Sequence, residues 1–163
     1  MKRLYLIRHA KSGWESPSQA DFERTLSKRG EKDAPEMGNR LNQRGIKPEA
    51  VLCSPAVRAR MTAEYLQSGI LFPEKIILYR REIYEAGLEE LLAIVRSLPD
   101  DLNEVFFIGH NPGISWLAEY LTKGSLGSLP TCGILCAGFP SGSWADIEEG
   151  SADIVFFDYP KSS

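Results

Sequence analysis

A chain of 163 residues, 43% apolar and 25% charged, has the length of one domain (residues 1–163) and enough apolar side chains for a full core. Its net charge of −3, with both signs interspersed and no basic stripe, argues against nucleic acid as a partner. No apolar run reaches the ~18 residues of a membrane span, so no membrane partner is expected. No leader pattern is visible, and Cys53, Cys132 and Cys136 are odd in number and lie in apolar segments. A cytoplasmic protein with buried free thiols is therefore expected.

Residues 3–8 (RLYLIR) read as a strand whose all-apolar centre suits a sheet covered on both faces. Residues 10–26, with Gly13, Pro17 and several serines, read as a long loop. A helix is predicted over 27–44, with Ser27 and Gly30 at its start and Gly45 past its end. Pro35 falls inside it, removes one hydrogen bond, and is expected to kink the helix or split off its first turn. The run AVLCSPAVRARMTAEYL passes from a short strand through a turn into a helix, with Ser54 as N-cap and Pro55 at the first helical position. Residues 76–79 (IILY) form another strand, and 88–98 (LEELLAIVRSL) carry apolar residues at helical spacing. VFFIGHNPGISWLAEYL repeats the strand, turn, helix design, and 122–131 (TKGSLGSLPT) is a second long loop. Strands follow at 132–138 and 153–157. Trp116 and Trp144 are assigned to core packing. The alternation of strands and helices predicts an α/β fold, a three-layer α/β/α domain with a mostly parallel central sheet.

The chain has only two histidines, His9 and His110, and each follows a predicted strand. Ligands of open α/β sheets sit in the crevice beyond the carboxyl ends of the strands, so these distant residues are expected to meet there. Arg58 falls in the first turn of the helix after the Val51–Cys53 strand, and a helix N-terminus favours anions. Arg8 and Lys11 add positive charge to the same sheet edge, in a chain that is acidic as a whole. That combination suits a phosphoryl group. Taken singly, each feature has a plainer account: a satisfied histidine, a solvated arginine, an ordinary helix start. Their joint arrival at strand carboxyl ends favours a site.

LIRHAKS, residues 6–12, resembles the R-H-G or R-H-A signature of the histidine phosphatase superfamily, which has the phosphoglycerate-mutase-like fold. SPAVRARMTAE (54–64) is similar to that family's second arginine segment, and GHNPGISWLAEYL (109–121) to its second histidine segment. The short length and the runs RHAKS, GHNPG and LPTCGI are closest to the SixA-type phosphohistidine phosphatases. The resemblance covers residue 4 to about residue 145. Thr25, in ERTL, stands where such sequences often carry proline, and Gly13 follows Ser12 where aspartate is common. Both departures fall on the loop and the substrate rim.

The resemblance implies that His9 attacks the phosphoryl group, forms a phosphohistidine intermediate and yields it to water. Arg8, Arg58 and a protonated His110 would hold the equatorial oxygens, helped by backbone N–H groups near Asn111 and Ser54. Lys11, Ser12, Arg24 and Asn111 are the candidate substrate-binding residues. Glu82 and Glu85, in REIYEAG, are the candidate general acids; the plainer account, two solvated carboxylates at a helix start, is preferred. No metal and no other cofactor is expected. The expected partner is a phosphorylated protein, such as a histidine phosphotransfer domain, or a small phosphorylated metabolite.

Rival readings fare worse. A cysteine phosphatase needs its Cys and Arg one residue further apart than Cys53 and Arg58 stand. Gly138 and Gly142 occupy the corresponding arginine positions after Cys132 and Cys136. No G-x-x-x-x-G-K-[ST] occurs. A phosphosugar mutase would need a longer insertion to enclose its substrate. A silent phospho-ligand binding module would keep the arginines without needing His9.

Overall fold

Leu4, Tyr5, Leu6 and Ile7 are all fully buried, the pattern of a strand covered on both faces. They form the centre of β1 (Lys2–Arg8) in a computed structural model that describes residues 1–124, 126–140 and 142–161. Ser125, in the second predicted loop, lies outside the described residues. The sheet continues with β2 (Ala50–Cys53), β3 (Ile77–Tyr79), β4 (Glu104–Gly109), β5 (Ile134–Phe139) and β6 (Asp153–Asp158). Its order is β3-β2-β4-β1-β5-β6. The first four of that row run parallel, β5 runs antiparallel to β1, and β6 antiparallel to β5. Arg8 lies opposite Gly109 and Cys53 opposite Ile108, so β1, β4 and β2 end together at one edge of the sheet.

Side chains alternate across each strand, which divides the core in two. Tyr5, Ile7, Val51, Phe106 and Ile108 face Met37 and Leu41 of α1 (Lys28–Gln43) and Ala59, Ala63 and Leu66 of α2 (Val57–Leu66). Leu4, Leu6, Leu52, Val105 and Phe107 face Leu91, Leu92 and Val95 of α3 (Leu88–Arg96) and Ile114, Leu117 and Leu121 of α4 (Gly113–Thr122). This is the three-layer α/β/α architecture predicted from the sequence, with its mostly parallel sheet. All three cysteines are free and buried. No helix among the described residues is long and apolar enough to cross a membrane.

Local expectations fail where tertiary contacts override them. α1 runs unbroken through Pro35. It packs closely on the end of α2 there, where a Cβ on Gly69 would collide with the Pro35 carbonyl. α2 starts at Val57 with Ala56 as its cap residue, two positions later than expected. Ser54 is not the cap: its hydroxyl accepts from the Ala56 N–H at 3.2 Å and pairs with His110. The 10–26 loop contains a short 3-10 turn, Asp21–Glu23, and a bridge between Ser12 and Leu26. Ser27 does cap α1, accepting from the Gly30 N–H at 3.2 Å. Trp144 is fully buried, but Trp116 is 50% exposed, because Ile114, Leu117 and Leu121 take the sheet-facing side of α4.

Candidate active site

The parallel pairing of β1 and β4 brings the two histidines side by side. The His9 and His110 rings are 5.1 Å apart between centroids and tilted by 53°, close enough for one phosphoryl group to touch both. His9 Nδ1 lies 2.8 Å from the Ala10 carbonyl. A carbonyl only accepts, so Nδ1 carries the proton and Nε2 keeps its lone pair. The His9 main chain is fixed as well: its N–H donates to the Gly109 carbonyl at 3.1 Å. A Cβ on Gly30 would collide with the Lys11 carbonyl, so only glycine lets the first turn of α1 sit this close to the segment that follows His9.

The segment before β5 clasps the same strand end. Cys132, in the left-handed region at φ 59°, donates its N–H to the carbonyls of Arg8 (3.0 Å) and His9 (3.1 Å). Arg8 Nη1 and Asn111 Nδ2 both donate to the Leu129 carbonyl, at 2.9 and 3.0 Å. His110 Nε2 shares a 2.7 Å hydrogen bond with Ser54 Oγ. Among the described residues, Arg8 Nε and His110 Nδ1 are buried without a partner. Leaving such atoms unpaired costs about 1–3 kcal/mol each, a cost that folds accept mainly at working sites.

The rim is built from loops. Arg58, near the start of α2 and only 6% exposed, donates from Nη1 to the Asp21 carbonyl (2.7 Å) and from Nη2 to Asp21 Oδ2 (3.0 Å). Arg24 donates to Asp21 Oδ1 (3.1 Å) and to Ser12 Oγ (2.8 Å). The Tyr84 hydroxyl donates to Asp21 Oδ2 at 2.7 Å, and its ring stands edge-on to both Phe22 and His110. Glu85 follows at φ 56°, a left-handed conformation that costs a glutamate on the order of 1 kcal/mol or more.

Burial governs the charges here. It pushes His9 down to about 3, reinforced by His110, Arg58 and Arg8 and partly opposed by the Ala10 carbonyl. Burial and then Arg58 push His110 down to about 4, against the pull of Asp21. Both imidazoles are therefore neutral at pH 7 in the free site; the protonated His110 expected from the sequence is one beside a bound phosphate, whose negative charge the free site lacks. Burial also lowers Arg8. For Asp21, burial opposes ionisation, but hydrogen bonds from Tyr84, Arg24 and Arg58 outweigh it and hold the carboxyl at about 2.

One cleft of about 510 Å³ gathers Arg8, His9, Arg58 and His110 with Lys11, Ser12, Arg24, Asn111 and Glu85. Glu82 is not among its lining residues: it pairs with Arg80 at 3.2 Å on the exposed side of the same turn. The Asn111 amide is engaged by Leu129 and by Ser115, whose hydroxyl donates to Asn111 Oδ1 at 2.6 Å. Of the main-chain N–H groups expected to help, those near Ser54 are engaged elsewhere: that of Ser54 by the Ile108 carbonyl, that of Ala56 by Ser54 Oγ. Asp21, Tyr84 and Thr131 also line the cleft and were not singled out from the sequence. For Asp21 one signal was present, its position three residues before Arg24. Among the described residues no group of three His, Cys, Asp or Glu side chains could hold a metal ion.

Comparison with known proteins agrees with this geometry. The family model of the histidine phosphatase superfamily (branch 1) matches residues 4–83, a span that takes in Arg8, His9 and Arg58. An uncharacterised protein of Mycobacterium tuberculosis, Rv1276c, is 31% identical over 164 residues, covering 95% of this chain and 100% of that protein. A Nakamurella protein assigned as the phosphohistidine phosphatase SixA superposes with a TM-score of 0.82 at 25% identity, over 99% of this chain and 97% of that one. Its counterpart from Agrobacterium tumefaciens gives 0.81 at 26% identity, over 98% and 99%. With family model, full-length relative and fold in accord, the chain belongs to the histidine phosphatase superfamily.

Proposed function

We propose that the chain is a metal-independent phosphatase, one histidine phosphatase domain over residues 1–163, that works through a phosphohistidine on His9. The observation that carries the reading is a neutral His9 with Nε2 unprotonated, in one cleft with Arg8, Arg58 and His110. Nε2 attacks phosphorus, the bond from phosphorus to the leaving group breaks, and the leaving group departs with the electron pair. Arg8 and Arg58 stabilise the charge that spreads over the equatorial oxygens. An arriving dianion supplies the negative charge that the free site lacks, so His110 takes up a proton as phosphate binds. Water then attacks the phosphohistidine and regenerates His9.

Members of the superfamily are phosphatases or mutases. Likeness to the two SixA-assigned structures supports phosphohistidine on a phosphotransfer protein as the substrate. Its labile P–N bond needs no strong acid from the enzyme. For poorer leaving groups the proton comes from Glu85, which lines the cleft, rather than Glu82.

Hydrolysis of para-nitrophenyl phosphate is expected to withstand chelator and to vanish in His9→Ala. Rapid-quench work should trap a phosphoenzyme that survives base and is lost in acid. Turnover that persists without His9, or is lost to chelator, overturns the proposal. Turnover of a phosphohistidine protein against a panel of small phosphate esters then decides the substrate class.

A further inference from the structure

One carboxylate holds two walls of the cleft. Asp21 takes both terminal nitrogens of Arg58, one on its main-chain carbonyl and one on Oδ2, which fixes the plane of the guanidinium. Two of the five N–H donors of an arginine are thereby engaged and three remain for an anion. The same Oδ2 accepts from the Tyr84 hydroxyl, and the Tyr84 ring stands 5.6 Å from the His110 ring, centroid to centroid. Oδ1 accepts from Arg24, which in turn holds Ser12. The Asp21 side chain is 41% exposed, so no core depends on it.

An ionised carboxylate facing the phosphate clamp repels the ligand that the clamp is built to grip. A site evolved only to bind phosphate tightly would omit it. A site that must turn phosphate over benefits twice: donors are already aimed before reaction, and the product anion is not held too firmly. We infer that Asp21 is a positioning residue of this site, orienting Arg58 and Tyr84 for the transition state while its charge weakens ground-state binding of phosphate. The inference rests on the phosphatase reading, but its two halves are read by different measurements. Orientation acts on kcat, and charge acts on phosphate affinity.

The test is Asp21→Asn, which keeps the shape and removes the charge. We expect kcat on para-nitrophenyl phosphate to fall about tenfold or more. Inorganic phosphate should bind roughly fivefold more tightly by titration calorimetry. Asp21→Glu restores the charge on a longer arm, so phosphate affinity should return toward that of the wild type while kcat stays low. A purely structural role would lower kcat and leave phosphate affinity unchanged or weaker. That result, or an unchanged kcat in Asp21→Asn, overturns the inference. If the unaltered protein hydrolyses no phosphate compound, the phosphatase reading falls. The calorimetric titration would still decide whether Asp21 opposes the anion.

Discussion

The floor and the rim of the cleft are built by different means. His9, Ser54 and His110 sit just past the ends of β1, β2 and β4, where the strand register places them. Asp21, Arg24, Tyr84 and Glu85 sit on two connections, and side-chain hydrogen bonds tie Asp21 to Arg24 and to Tyr84. His9 and Ser54 of the floor are buried and His110 is half-buried, whereas the rim is half-buried at Asp21, Arg24 and Tyr84 and exposed at Glu85. Backbone pairing thus fixes where His9 lies, and loop side chains fix how Arg58 and Arg24 are held beside it. The second can change without disturbing the first.

Arg58 belongs to both regions, so its removal should break the comparison most severely. Arg58→Ala is expected to lower kcat/KM for an aryl phosphate about a hundredfold, roughly 3 kcal/mol. A loss under about threefold would mean that Arg58 does not hold the phosphoryl group. Acid should separate the two regions by smaller steps. Histidine in an unfolded chain titrates near ~6.5, but folding depresses His9 to about 3 and His110 to about 4. The unfolded chain therefore binds protons first as pH falls. Stability that is complete above about 6.5 is lost on descending toward 4, by at most about 1.4 kcal/mol per pH unit for each histidine. Asp21, depressed to about 2, contributes above its ordinary 3.8 and loses that contribution only below it. Its exposure keeps the contribution small. Urea unfolding across pH should show a shallower slope between 6.5 and 4 for His110→Asn, and an unaltered one for Asp21→Asn. The smallest effect is expected at Glu85. Glu85→Gln should stay within about threefold of wild type on an aryl phosphate, yet slow an alkyl phosphate at least about tenfold. Equal effects on both substrates would remove Glu85 as a proton donor.

The floor was legible because local and global signals agree there. An all-apolar strand ending in Arg8-His9, and a second ending in His110, predict the crevice from topology alone. The rim was not, because Asp21 meets Arg58 and Tyr84 far along the chain, and no periodicity encodes those contacts. Ser54 shows the same limit from the other side. Ser-Pro after a strand reads as a helix cap, but the hydroxyl is claimed by His110, 56 residues away. Pro35 does not split off a first turn: α1 continues through it where the helix packs on the end of α2. Glu82 and Glu85 could not be ranked from their local pattern. The left-handed turn at Glu85 distinguishes them, and nothing in REIYEAG announces it.

β5 runs against β1, so the segment that enters it, rather than one that leaves it, meets the carboxyl ends of the parallel strands. Leu129 and Cys132 grip Arg8, His9 and Asn111 there through main-chain atoms alone. The side chains of Leu129 and Cys132 are buried in the core, but Leu126, Gly127 and Ser128 just ahead of them are exposed, so that outer stretch can diverge while the grip persists.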